Sequence, residues 1–149
     1  MLERWRHLPE VYKPCVVAHD GIYGKVMAMG SVTFITTEYQ GRVVCAGSHF
    51  GRTSAAYSSR FDLAGVICSD AGICKDRSGI SGLSILDKTN VPGAAVSTDS
   101  ACIGDGLSTY LDGIVSAHNF AAASVGVVEG LPAKDAAELM LKAYHTKNY

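Results

Sequence analysis

The stretch RVVCAGSHFGRTSAAYSSRF (42–61) decides how this chain is read. It opens on an uninterrupted apolar run, passes through a loop fenced by Gly47 and Gly51, and ends in an alanine-rich segment of helical character. An apolar run without polar alternation is the signature of a strand covered on both faces. A glycine loop leading from such a strand into a helix is one half of a βαβ unit.

Reading outward, the same build recurs twice. LAGVICS (63–69) precedes the loop SDAGICKDRSG (69–79) and then SGLSILDK (81–88). PGAAVS (92–97) precedes the loop STDSACIGDG (97–106) and then LSTYLDG (107–113). The expected fold is therefore three-layer α/β, with a mainly parallel central sheet and helices on both faces. Residues 1–40 carry short, β-favouring segments broken by glycine, VVAH (16–19), KVMAM (25–29) and SVTFI (31–35), and are expected to add an N-terminal β extension. Residues 42–128 carry the βα units. The small-residue stretch IVSAHNFAAASVGV (114–127) reads as a closely packed helix. A C-terminal helix is expected over 131–146, with Pro132 suited to its first turn and an apolar stripe of Ala136, Leu139, Met140 and Ala143.

The totals agree with one globular α/β domain spanning 1–149. Hydrophobic residues make up 48% of the chain and charged residues 18%, which separates it from disordered sequences. A formal net charge of -1 with no basic cluster argues against nucleic acid as a partner. No apolar run reaches the roughly 20 residues a membrane helix needs, so no membrane contact is expected. The opening MLERWRHLPE lacks the apolar core of a signal peptide, and a cytoplasmic setting is the simplest reading. Five cysteines without a C-x-x-C pair suggest neither a disulfide framework nor a standard zinc site; no metal and no cofactor are expected.

Right-handed crossovers place the loops that follow parallel strands on one edge of the sheet, where open α/β sheets bind ligands. The three loops would bring together Ser48, His49, Arg52, Asp70, Cys74, Lys75, Asp76, Asp99, Ser100, Cys102 and Asp105. His49, Asp70 and Lys75 are the candidate catalytic residues, His49 and Asp70 as acid and base. Ser48, Arg52, Asp76, Ser100, Cys102 and Asp105 are candidate substrate contacts, and Arg52 with Lys75 would hold an anionic end. Each also has a structural reading. Ser48, Asp76 and Asp105 suit helix caps, Asp70 suits a turn, and Cys74 and Cys102 suit loop filling. His118, read as part of a helix, suits packing. None of the loops carries the glycine fingerprints of nucleotide binding.

In pattern, GSHFG (47–51), SDAGICKDRSGISGL (69–83) and SACIGDG (100–106) resemble a group of small stand-alone bacterial α/β proteins. That group carries GSHGG, NDAGxGKDxAGIxGL and SARIGDG in the same order. The resemblance covers roughly 42–128 and implies a shared site, with added weight on His49, Asp70, Lys75, Asp76 and Asp105. Phe50 and Cys74 stand where the pattern has glycine, and Cys102 where it has arginine. All three departures are expected in the pocket loops.

The expected activity is that of a hydrolase or lyase acting on a small carboxylate or amide, that is, on an anionic or carbonyl-bearing molecule. The alternative is a non-catalytic module, or subunit, that binds an anionic metabolite. The small residues of 117–126 suggest packing between subunits, hence a homo-oligomer.

Overall fold

The computed structural model describes residues 15–146. The opening segment MLERWRHLPE and His7 lie outside them. Among the described residues, six strands form one sheet in sequential order, β1 to β6. They span Cys15–Gly21 (β1), Gly24–Met29 (β2), Val43–His49 (β3), Gly65–Ser69 (β4), Gly93–Val96 (β5) and Val115–His118 (β6). β2 to β5 run parallel, while β1 and β6 pair antiparallel at the two ends. Among the described residues, five α-helices accompany them: α1 (Arg52–Ser58), α2 (Leu83–Asp87), α3 (Gly106–Asp112), α4 (Phe120–Ser124) and α5 (Ala133–Thr146). No helix among the described residues is long and apolar enough to cross a membrane.

Alternation along β3 sorts the buried side chains. Val44 and Ala46 join one cluster, with Ala55 of α1 and Leu83 and Leu86 of α2. Val43 and Cys45 join another, with Tyr110 of α3 and Ala133, Ala136, Ala137, Met140 and Leu141 of α5. Successive strand residues point to opposite sides of a sheet, so each cluster takes one side. In α5 the buried stripe runs through Ala136 and Met140 as expected, but Leu139 and Ala143 are only half-buried.

Three expectations of the sequence change. SVTFI is not a strand: Val32–Phe34 form a 3-10 turn, with the Ser31 hydroxyl accepting from Thr33 N–H and the Ser48 hydroxyl from Val32 N–H. The two side-chain caps outweigh the β preference of Val32, Thr33 and Ile35. The stretch 114–127 is not one helix either. Its first half is β6, paired to β5, and Asn119 then caps the short α4 by accepting from Ala122 N–H. His118 therefore stands on a strand. Finally, Phe50 is not a pocket residue but fully buried in the first cluster. Burying such a side chain contributes about 1.5–3 kcal/mol, which decides its direction.

Of the small residues of 117–126, Ala117, Ala121 and Ala122 are buried within the chain, while Ala123, Ser124 and Gly126 are exposed. Asn119, 5% exposed, spends its whole amide inside the protein. Its oxygen accepts from Gly93 and Ala122 N–H, and its nitrogen donates to the Leu83 and Val91 carbonyls. One side chain thus joins β5, α2 and α4.

α3 starts where no side chain fits. A Cβ on Gly106 would overlap the main chain of Met29, the last residue of β2, and of Cys45 in β3. The Thr109 hydroxyl then donates to the Ala46 carbonyl, drawing the helix onto β3. Gly106→Ala is expected to lower stability by about 1–3 kcal/mol, as overpacking does. Urea unfolding of the variant beside the parent measures this.

Candidate functional site

The loops after β3, β4 and β5 do lie at one edge, and main-chain hydrogen bonds tie them together. Gly104 N–H donates to the Gly47 carbonyl at 2.9 Å, linking the third loop to the first across the end of β4. A Cβ on Gly47 would overlap Gly104 and the Asp105 amide, so this crossing needs the glycine. Phe50 N–H donates to the Ser69 carbonyl, and Gly82 N–H to the Phe50 carbonyl, linking the first loop to the second. Asp70 N–H donates to the Val96 carbonyl, linking the second to β5.

The candidate residues fall into two sets. Some are consumed by the fold. The Ser48 hydroxyl is engaged by Val32 N–H rather than capping α1. The Asp105 carboxylate caps α3, accepting from the Leu107 and Ser108 amides. The Ser100 hydroxyl donates to the Ser97 carbonyl and accepts from Ile114 N–H. Others stand exposed with no side-chain hydrogen bond or ion pair among the described residues: His49, Arg52, Lys75, Asp76 and Cys102, with Asp99 beside them. The His49 ring folds back over Gly51.

Asp70 belongs to both. It is only 4% exposed, yet it is a carboxylate at the end of a central strand. One oxygen accepts from Gly72 N–H and the other from the Ser116 hydroxyl, each at 2.7 Å. Neither oxygen meets His49, so the expected acid/base pair is not hydrogen-bonded. Nothing in the sequence marks Ser116, which falls within a helix-like stretch. Val115 pairs with Val96 and Ala117 with Ala95, so Ser116 is the extra residue of a β-bulge. The bulge moves Val115 and Ala117 into opposite buried clusters and turns Ser116 toward Asp70. Strand irregularities of this kind leave no local composition signal.

The second loop carries unusual backbone. Ala71, Ile73, Cys74, Asp76 and Arg77, none of them glycine, have positive φ. Cys74, at φ 63° and ψ −179°, occupies a region that is essentially glycine's own. This is the position where the resembling pattern carries glycine. The Cys74 thiol donates to the Ala71 carbonyl, and no side-chain cap starts the segment Lys75–Ile80, so Asp76 does not serve as the cap its sequence position allowed.

Alongside α2 a cleft of about 350 Å³ opens, lined by Asp76 and Arg77 of the second loop and by His118 and Phe120 across from them. Among the described residues, no group of three or more His, Cys, Asp or Glu side chains is placed to hold a metal ion. Every buried side-chain nitrogen and oxygen there has a hydrogen-bond partner.

No family model matches the chain, and no curated protein or solved structure matches it. What the edge can do therefore follows from its chemistry. It offers an unpartnered imidazole, two unpartnered cations, a buried carboxylate joined to a hydroxyl, and glycine-rich backbone.

Two outcomes are expected. Cys74→Gly should stabilise the protein by about 1 kcal/mol, because relieving about 1–3 kcal/mol of backbone strain outweighs the extra freedom of an unfolded glycine; thermal unfolding reads this. A thiol reagent at neutral pH should label Cys74 and Cys102, which are exposed, in the native protein. Burial pushes the Cys45 and Cys68 thiols far above their usual range, and these should react only after unfolding, as mass spectrometry with and without denaturant would show.

Proposed function

We propose that the protein takes a small anionic or carbonyl-bearing molecule at the carboxyl edge of its parallel strands. There it acts as a hydrolase or lyase on a carboxylate or amide. The observation that carries this reading is the free His49 imidazole on the last residue of β3, at an edge that also carries the unpartnered Arg52 and Lys75. Arg52 and Lys75 hold the anionic end of the substrate. His49 gives and takes the proton at the reacting group, a role typically worth about 10²–10⁴-fold in rate. Backbone N–H groups of the glycine loops face the oxygen on which charge develops. Asp70 acts through Ser116: a hydroxyl already donating to a buried carboxylate is a stronger acceptor for a substrate N–H or O–H.

A second reading, a non-catalytic module for an anionic metabolite, has one specific observation in its favour. Both Asp70 oxygens are occupied and neither by His49, as a purely structural carboxylate would be.

Thermal-shift measurements with a panel of small carboxylates and amides, followed by turnover assays on those that bind, test the pair. The enzyme reading expects stabilisation that is lost in an Arg52→Ala, Lys75→Ala double variant. It also expects turnover that falls about 10²-fold or more in a folded His49→Ala protein. Binding with no turnover in the parent selects the module. No stabilisation by any anion overturns both.

A further inference from the structure

We infer that the cleft beside α2 is a separate binding site for a zwitterionic amino acid with an apolar or aromatic side chain. Its volume of about 350 Å³ falls in the range of small-molecule sites. Its walls come from distant parts of the chain: Asp76, Arg77, Ile80 and Leu83 on one side, His118 and Phe120 on the other.

Three observations specify the ligand. Asp76 and Arg77 are neighbours of opposite charge, both exposed and both without a side-chain partner among the described residues. They line the cleft together instead of reaching other protein groups. A ligand that satisfies both must carry an ammonium for the carboxylate and a carboxylate for the guanidinium, whose fork suits a planar two-oxygen group. Asp87, the other acid in the cleft, does not compete for the ammonium on equal terms: its two oxygens accept the Phe120 and Ala121 amides.

Phe120 gives the second observation. Its ring is 86% exposed at the start of α4, although the backbone beneath it is fixed by that Asp87 cap. A phenyl ring held in water on a rigid support offers a face to an apolar or aromatic group. The third is His118. Its Nδ1 lies 3.0 Å from the Asn119 carbonyl, which as an acceptor selects the tautomer with hydrogen on Nδ1. Nε2 then remains an acceptor, a second seat for the ligand ammonium. The site is polar at one end, apolar at the other, and needs neither His49 nor Asp70.

Two-dimensional amide NMR on the whole protein tests this with three probes: L-phenylalanine, 3-phenylpropionate, which lacks the ammonium, and phenethylamine, which lacks the carboxylate. Phenylalanine should shift the amides of residues 76–84 and 118–121 with millimolar affinity. Each single-charge probe should bind about tenfold more weakly or worse, the loss expected for one charge-assisted contact. Arg77→Ala should erase the preference for phenylalanine over phenethylamine, and Asp76→Asn the preference over 3-phenylpropionate. Phe120→Ala should weaken all three probes. These side chains are exposed, so each variant should keep the parent spectrum elsewhere. Equal binding of the three probes, shifts confined to residues 47–54 and 97–106, or no shifts at tens of millimolar overturns the proposal. None of these results bears on turnover by His49, so the two readings fail separately.

Discussion

The candidate site depends on a main-chain crossing. The third loop leaves β5 but bonds to Gly47 on β3, passing the end of β4 on the way. That approach is possible because Gly47 has no Cβ to strike Gly104, because Gly104 takes a positive φ, and because Gly106 lets α3 start directly on the backbone of β2 and β3. A parallel sheet by itself would line up three separate loops along its edge. The crossing folds the third over the first, and with the Phe50 and Asp70 backbone bonds it makes one surface of all three.

This crossing also explains which polar residues are left to meet a ligand. Holding loops so close strands many polar groups, and the side chains that satisfy them are drawn from the same polar segments that attract notice in a sequence. Ser48, Ser100 and Asp105 are absorbed in this way. His49, Arg52 and Lys75 are not absorbed: they are exposed and their side chains meet no protein partner among the described residues. A functional reading from residue type alone mixes the two groups; hydrogen-bond accounting separates them.

Much of the architecture was legible. The three apolar runs with glycine loops and helical segments appear as β3 to β5 with α1 to α3, because local pattern and tertiary role agree there. The failures share a cause. Val32 and Ile35 carry a strand's composition, but a serine from another segment holds them in a turn. Ala117 and its neighbours carry a helix's composition, but pairing with β5 makes them a strand. Phe50 sits among loop residues, but its burial is decided by leucines and a glycine more than thirty positions away. Ser116 and the walls of the α2 cleft were hidden for the same reason. Each depends on partners brought together only by the sheet, and short segments of ambiguous preference take the state their partners impose.

The sequential strand order has a consequence for how the molecule comes to be built. Each strand finds its neighbour immediately before it in the chain, so the sheet can extend as the polypeptide lengthens, with no strand waiting for a distant one to be made. The long-range closures come from the other end. Tyr144 donates to Asp62, and His145 contacts the Gly41 carbonyl 104 residues earlier. The last helix thus works as a clasp: it closes over the sheet that the earlier segments make, and it supplies the cover of Val43, Ile67 and their companions.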